Sequence, residues 1–516
     1  MRFRDRTEYG ANLLRDILAS PAPVTPGRDG WDLAGIALAL GAGAWLFAYK
    51  MRSFLGLGTT GDMYSFVQCS TSWLHGDFLR DNCWGKVLSI HAYLFVPVLA
   101  IFSRPFGAPG LLFALSLAAS SMFAAIVRVL RLLAVPGPAA IVFALVATAM
   151  PLSLHLYQDE VSGFHVELLV PAMALWLFYF LLRRSMAGAV AMALVLLSVK
   201  EDSTVLTCLV GAVAFVETAI REFDGGSYRD REAVERWCNK PALVVMLMGA
   251  LALPLLLHVI KAASPAGFIG FSVFRRLRLE NGQEVHDGGQ LFHFVILHLG
   301  AMAGSPQATR WMALVIPATF GLACLRPHLV PLGLFSVLIS WLMNDDLLWP
   351  PRFAAALTFF LLISMVGFAS LFHTLMSRVG LKPWRTIVLT ALIPLTAWIV
   401  AEVYTAQLAA VPTAERVYAL APYLRFSPAE RAEADRLFSV YRRRSLRSDP
   451  VIASDFLFRY AHDRNLYWVG KLGGRPKPIW ILWDDGDRNI KDAGVPLSEY
   501  QLRAREGRFS LYHRIP

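Results

Sequence analysis

Charge is scarce in this chain. Only 17% of its 516 residues are Asp, Glu, Lys or Arg, against roughly 25% in a soluble domain. That shortage excludes one large water-soluble body. Cysteine is scarce too, with five residues and no CxxC pair or Cys/His spacing that suggests zinc. Cys208 and Cys324 stand in apolar segments and read as buried hydrophobes, while Cys238 stands in a polar loop expected in the cytoplasm. Cys69 and Cys83 share the first polar loop, and a disulfide between them is left open, because spacing gives neither the compartment nor the geometry. Internal repeats and low-complexity tracts are lacking. So is the pattern of a secretory signal: residues 2–28 are polar and basic (Arg2, Arg4, Arg6, Arg15, Arg28), and the first apolar run starts only at Trp31. The expectation is a cytoplasmic or interfacial segment over 1–30, followed by an uncleaved span.

What the chain has in quantity is apolar sequence. Hydrophobic residues make up 56% of it, and the mean hydropathy is +0.49. At this length that describes repeated stretches able to cross a bilayer, each needing roughly 20 residues. Spans are expected at about 31–50, 109–133, 138–157, 166–183, 187–199, 203–220, 241–261, 310–325, 328–344, 352–373 and 386–404. That is about eleven, in a mainly α polytopic membrane protein. The net charge of +11 is explained largely by short loops between spans. Nucleic-acid binding would need a basic patch with interleaved aromatics on a soluble module, and none is read.

Orientation follows from where Lys and Arg fall. With the N-terminus inside, Arg128, Arg131, Arg183, Arg184, the loop 221–240, Arg326, Arg378, Lys382 and Arg385 all lie on the cytoplasmic side. The C-terminus then lies outside. Counting the short apolar run 88–103, broken by His91 and Pro97, as a span would invert this pattern. It is therefore read as an interfacial or re-entrant segment of the first outer loop, 51–108. The run 290–304, with His293 and His298, is read the same way. Beyond residue 404 the composition turns polar, with strand-like runs at 451–458, 465–470, 478–485 and 509–515 and a helical stretch at 428–443. A small α/β domain over 405–516 is expected on the outer face, behind a membrane domain over 31–404. The basic runs Arg275-Arg276-Leu277-Arg278 and Arg442-Arg443-Arg444 fall outside in this topology, where long segments tolerate such charge.

This topology gathers ionisable residues on one face, and such groups at membrane depth are costly and mark function or paired structural sites. The first outer loop carries Asp62, Tyr64, Gln68, His75, Asp77, Asp81, Lys86 and His91; a later loop carries Asp159, Glu160, His165 and Glu167; Asp345, Asp346 and Arg352 come late. Lys200-Glu201-Asp202 breaks an apolar stretch. It reads either as an ordinary polar turn or as a charge cluster at a cavity floor, with Lys200 on a phosphate and the carboxylates holding it or a metal. Phe164-His165-Val166-Glu167 starts a span. His and Glu two apart do not share a helical face, whereas an extended approach points both the same way. A helix start with Glu167 near the positive dipole end, acid/base work and hydroxyl binding all stay open. Asp62 follows Gly58-Thr59-Thr60-Gly61 and reads as an N-cap, as a general base, or as both. Asp345 and Asp346 read as a solvated loop, and Arg352, which starts a span, needs an anionic partner or an interfacial position.

These residues resemble a known pattern. The chain is similar to bacterial membrane proteins grouped as domain of unknown function 2079. The match runs through Asp62-Met-Tyr-Ser-Phe-Val-Gln68 with Trp73, His91-Ala-Tyr-Leu-Phe-Val-Pro97, Phe164-His165-Val166-Glu167, Lys200-Glu201-Asp202, Arg352-Phe353, and Gly507 through Arg514. Two positions depart from the pattern: Val166 stands in place of Pro, and Val67 in place of an Asp.

The architecture also resembles C-class (GT-C) glycosyltransferases. The resemblance implies a GT-C-like bundle with outer interfacial helices, in the bacterial inner (plasma) membrane. It implies an inverting transfer of a sugar from a polyprenyl-phosphate donor lipid to a glycan, lipid or protein acceptor, outside the cytoplasm. Asp62 would then be the general base, and Lys200 and Arg352 would meet the donor phosphate. Tyr64, Gln68, His91, His165 and Glu167 would line the substrate. A divalent metal, Mg²⁺ or Mn²⁺, is left open, with Asp62, Glu167, Glu201 and Asp202 as its oxygen ligands. The other readings are a transporter or flippase for a lipid-linked or anionic solute, and a non-catalytic membrane assembly protein.

Overall fold

Apolar runs bounded by glycine, proline and arginine become helices almost where the hydropathy places them. The structure is a computed structural model that describes residues 30–59, 62–82, 85–149, 163–222, 238–263, 355–379, 382–392, 424–467, 477–487 and 495–515, with single positions at 293, 396 and 399. The helices are α1 (Gly30–Leu55), α2 (Asp62–Thr71), α3 (Ala100–Phe106), α4 (Ala108–Leu132), α5 (Gly137–Ala149), α6 (Val170–Leu182), α7 (Met186–Val199), α8 (Ser203–Glu222), α9 (Lys240–Ala263) and α10 (Ala355–Arg378). A further helical stretch covers 383–392. Among the described residues α1, α4 and α9 are long and apolar enough to cross a membrane, and several others are apolar but shorter. The described residues do not confirm the expected count of about eleven. The expected spans at 310–325 and 328–344 lie outside the described residues, as does most of 290–304.

Small residues let neighbouring helices approach closely, the usual solution where apolar side chains gain nothing by leaving lipid. A Cβ on Gly43 of α1 would sit 1.9 Å from Ser120 Oγ of α4, and one on Gly35 would meet Val127. The two helices therefore run antiparallel. Gly211 and Gly249 do the same for α8 and α9, against Met246 and Cys208 respectively. Outward-facing Leu33 and Leu40 of α1 and Leu247, Leu251 and Leu255 of α9 are exposed, a surface suited to lipid rather than water.

Antiparallel packing gives the bundle two unlike ends. At one, Trp31 and Arg131 close on Gly137, and Asn239 Nδ2 donates to Leu181 O and Thr218 Oγ1, each at 3.0 Å. Ser370 Oγ donates to Leu133 O at 3.4 Å. Arg128, Arg131, Arg183, Arg184 and Lys240 belong to this arginine end. At the other end lie the close of α1, α2, α3 and the links before α6 and α8. Ala92 packs there on Leu256 and Ile260 of α9. The run 88–103 makes no crossing. It holds 3-10 turns at Val87–Ser89 and Val96–Leu99, then α3 with Pro105 inside it.

The second end also carries the C-terminal sheet. Helix α11 (Pro428–Arg444) starts with a capping box between Ser427 and Glu430. The strands are β3 (Pro450–Ala453), β4 (Asn465–Tyr467), β5 (Trp480–Asp484), β6 (Tyr500–Glu506) and β7 (Phe509–Arg514); β1 (Arg80–Asp81) and β2 (Gly85–Lys86) form a separate small hairpin in the outer loop. The sheet order is β4-β3-β5-β7-β6. β3 is parallel to β4 and β5, and β7 is antiparallel to β5 and β6. Phe438 and Tyr441 of α11 pack on Phe509 and Trp480. The expected strand over 451–458 stops at Ala453, and Asp455–Tyr460 is a 3-10 helix instead. β6 escaped the sequence reading because it is an edge strand with mostly exposed, charged residues and little apolar alternation.

The sheet unit docks on the bundle through this 3-10 segment. Phe54 of α1 meets Phe458 at 5.8 Å and His462 at 5.4 Å between ring centroids. The Arg459 guanidinium donates to Leu55 O, a cation at the negative end of α1. Gly107, at φ 62°, passes so close to His462 that a Cβ would lie 2.4 Å from its Nδ1. Burial first, then the arginines 442, 459 and 464 against the opposing pull of Asp463, push the His462 imidazole down to about 4. It is therefore neutral when docked. An undocked imidazole binds its proton near pH 6.5, so docking is intact above that value and weakens as pH falls toward 4, by up to ~1.4 kcal/mol per pH unit. Hydrogen-exchange protection factors at 455–467, corrected for the intrinsic pH dependence of amide exchange, should fall between pH 7 and pH 5, and His462→Phe should remove most of that fall.

Candidate functional site

Two helix links and the first outer loop meet at the sheet end. α7 stops at Val199, Lys200 is extended (φ −166°, ψ 159°), and α8 begins at Ser203. Ser203 N donates to Lys200 O at 3.1 Å, and Thr204 Oγ1 to Glu201 O at 2.6 Å, closing a tight turn. This turn is no ordinary solvated one, because Lys200 and Glu201 are buried at 5% and 1% exposure. His165 is extended, with φ −142° and ψ 144°, and Val166–Leu169 follows as a 3-10 turn into α6. The extended approach brings His165 and Glu167 together, as that reading required: His165 Nδ1 hydrogen-bonds Glu167 Oε2.

Counter-charge organises the rest. Lys200 Nζ lies 3.1 Å from Glu167 Oε1 and 3.5 Å from Asp202 Oδ2. Tyr93 OH donates to Glu167 Oε1 at 3.1 Å. Glu201 Oε1 lies 2.8 Å from His91 Nδ1, and its Oε2 accepts from Ala92 N at 3.0 Å. Phe95 N donates to Ser198 O at 2.7 Å, tying the loop to the end of α7. Burial opposes the charge on Lys200, but Asp202 and Glu167 outweigh it and hold the ammonium well above its ordinary range. Burial likewise opposes ionisation of Glu201, and the His91 contact overcomes it. Glu201 is thus held as an anion, and the carboxylate oxygens of both Glu167 and Glu201 are engaged. Asp202 differs: its side chain is 42% exposed, the most open of the three, although the surrounding protein still raises its carboxyl above the ordinary range.

α2 lies against this network. Its Phe66 ring stands 4.6 Å from His165 and 5.6 Å from both Tyr93 and Phe164. Gly163, at φ 70°, packs where a Cβ would strike Thr59 and touch Met63, the residues on either side of the α2 start. Asp62 is the first residue of α2 rather than the residue before it, and its carboxylate lies outside the described residues. So do Arg352, Asp159, Glu160, Asp345, Asp346 and Cys83. Cys69 is buried, with its Sγ 3.9 Å from Asp81 Oδ2.

The other expected site residues divide sharply. His91, His165, Glu167, Lys200, Glu201 and Asp202 come together. Tyr64 and Gln68, expected at the substrate, instead face the C-terminal sheet. Tyr64 OH donates to Arg464 O and accepts from Gln68 Nε2 at 2.9 Å and Leu466 N at 3.0 Å. One donor and two lone pairs are all a phenol has, so no capacity is left for a ligand. Burial pushes this phenol far above its ordinary range, which keeps the donor proton in place. Asp81 is buried and structural, accepting from Ser65 Oγ and from Gly85 N at 3.2 Å. Lys200 faces two carboxylates, Asp202 as the cluster reading allowed and Glu167 in addition. Among the described residues no three His, Cys, Asp or Glu side chains gather as metal donors. Tyr93 and Phe66 were missed; their position beside His91 and within the Asp62 segment was the available signal.

A family model for predicted membrane proteins, DUF2079, matches residues 57–429. The chain belongs to the DUF2079 family. The match covers every segment of the ion network, so the cluster is a feature of the DUF2079 part of the chain. Among solved structures, this DUF2079 chain is similar to ArnT from Cupriavidus metallidurans, bound to undecaprenyl phosphate, at 14% identity and TM-score 0.48, over 95% of this chain and 99% of that one. It is also similar to the archaeal oligosaccharyltransferase AglB from Archaeoglobus fulgidus, in complex with an inhibitory peptide and a dolichol-phosphate, at 13% identity and TM-score 0.35, over 94% and 74%. Scores below 0.5 do not establish a shared fold. No curated protein matches the sequence.

Removing one member of a buried ion pair leaves the other charged and alone, typically costing about 3–5 kcal/mol. Lys200→Met should lower the melting temperature in detergent markedly, and adding Glu167→Gln should restore part of the loss. Equal stability of Lys200→Met and wild type would show that the pair carries no such strain.

Proposed function

We propose that this DUF2079 protein is a GT-C-type membrane glycosyltransferase that moves a sugar from a polyprenyl-phosphate donor to a glycan, lipid or protein acceptor on the extracytoplasmic face. The observation that carries the reading is the convergence of the Asp62 helix, His91-Tyr93, Phe164–Glu167 and Lys200–Asp202 at the bundle end opposite the arginines. Cytoplasmic loops collect Lys and Arg, so the arginine end is assigned to the cytoplasm and the ion network to the outside of a bacterial inner membrane. In this reading 1–30 is cytoplasmic or interfacial, 31–404 forms the GT-C-like membrane domain and 405–516 the outer domain. Transporter sites tend to lie near the bilayer midplane; charges gathered at one end suit chemistry at the surface.

The step is a displacement at the anomeric carbon. Asp62 takes the proton from the acceptor hydroxyl as its oxygen attacks. The new C–O bond forms while the bond to the donor phosphate breaks, and the polyprenyl phosphate leaves with the electron pair, inverting the configuration. Asp202, the open carboxylate, accepts hydrogen bonds from sugar hydroxyls. Lys200 holds Asp202 in place, with Glu167, His165 and Tyr93 behind it. Arg352 supplies the cation for the leaving phosphate. Glu167 and Glu201 are engaged by their protein partners, so the described residues do not fit a site for Mg²⁺ or Mn²⁺, and no step is routed through a metal.

Purified protein in nanodiscs, given a labelled polyprenyl-phosphate hexose and a membrane-lipid or glycan acceptor fraction, should release polyprenyl phosphate. Asp62→Asn should reduce that rate by roughly 10²–10⁴-fold, the range of general-base catalysis, with the melting temperature unchanged. Wild-type turnover by Asp62→Asn would overturn the assignment of the base.

A further inference from the structure

We propose that Tyr64 and Gln68 are positioning residues that fasten α2 to β4, so that the C-terminal sheet holds the Asp62 end of α2 at the candidate site. A ten-residue helix does not hold itself together in isolation. β4 is an edge strand of the sheet, and an edge leaves backbone donors and acceptors to be covered. Each needs a partner, and they find one another. Tyr64 and Gln68 are four apart and share a helix face. Together they take up the outer edge of β4: Tyr64 bonds Arg464 O and Leu466 N, and Gln68 Nε2 donates to Leu466 O at 3.1 Å. Two side chains stand where a further strand would otherwise pair.

The clamp is closed from the outer loop as well. Asn82 N donates to Gln68 Oε1 at 2.8 Å, and its Nδ2 reaches Asn465 Oδ1 at 2.8 Å and Leu466 O at 3.2 Å. The docking contacts of Arg459 with Leu55 O and of His462 with Phe54 and Gly107 hold α1 and the α3–α4 junction, not α2. On its opposite side α2 presents Phe66 to His165 and Tyr93. α2 is thus a spacer between the sheet edge and the ion network, and a shift of β4 moves it. The fastening stands on geometry alone; its bearing on catalysis rests on the reading of Asp62 as the base.

The test uses the full chain in nanodiscs, with polyprenyl phosphate as the binding probe. Tyr64→Phe should speed hydrogen exchange at 63–71 and 465–467 together by about tenfold or more. It should leave the affinity for polyprenyl phosphate within about twofold, and lower kcat about tenfold with KM for the donor unchanged. Asn82→Ala, which removes the Nδ2 bonds to Asn465 and Leu466 and keeps the backbone bond to Gln68, should do the same more weakly and serves if Tyr64→Phe does not accumulate. Unchanged exchange in both variants, or an affinity for polyprenyl phosphate reduced about tenfold without faster exchange, would overturn the proposal and make these residues ligand contacts. If the wild-type protein transfers no sugar, the glycosyltransferase reading fails while the exchange result still decides the clamp.

Discussion

A lysine ammonium buried at the end of an apolar bundle has to find counter-charge, because an isolated buried ion is prohibitively costly. Lys200 finds it in Glu167, across the bundle, and in Asp202, two residues on. Glu167 in turn requires partners for its remaining hydrogen-bonding sites and finds His165 and Tyr93. Glu201, facing the loop, secures His91 and the Ala92 amide. One charge thereby fixes three segments far apart in sequence. Helix polarity makes this possible: α6, α7 and α8 alternate in direction, so the link before α6 and the link before α8 fall at the same end.

The docked sheet extends the same logic outward. The first loop and α2 share the buried core of the membrane helices through Met63, Phe66, Tyr93 and Val96, and they are held from both sides. Ion pairs and aromatic rings hold one side, and the edge of β4 holds the other. Arg459 on the last turn of α1 and the Phe54–Phe458 contact set the sheet directly over the bundle. Such an arrangement fixes the first loop and α2 at the candidate site from two sides.

The sequence was informative where local pattern decides structure. The observed starts and ends of α1, α4, α6, α7, α8 and α9 follow apolar runs cut by Pro, Gly and Arg. Lys200, Glu201, His165, Glu167 and His91 stood out because ionisable groups in apolar surroundings need partners. The partners themselves were not legible. Tyr64 and Gln68 were placed at the substrate since nothing local reveals that the backbone carbonyl of Arg464, 400 positions away, accepts the Tyr64 hydrogen bond. The pairing of Lys200 with Glu167 was hidden for the same reason: a charge announces that it needs neutralising, not by what. β6 was invisible because an exposed edge strand buries one face weakly. Asp455–Tyr460 reads as a strand by composition, and becomes a 3-10 segment because it must turn from β3 toward the bundle.

The account stands on the two ends of the bundle facing opposite compartments, with the ion network and sheet on one side and the arginines on the other. Single cysteines placed in a cysteine-free background test this directly, using a membrane-impermeant maleimide on intact cells. Trp73→Cys and Arg505→Cys should label from outside, and Arg184→Cys only after permeabilisation. Labelling of Trp73→Cys and Arg184→Cys from the same side would contradict the account.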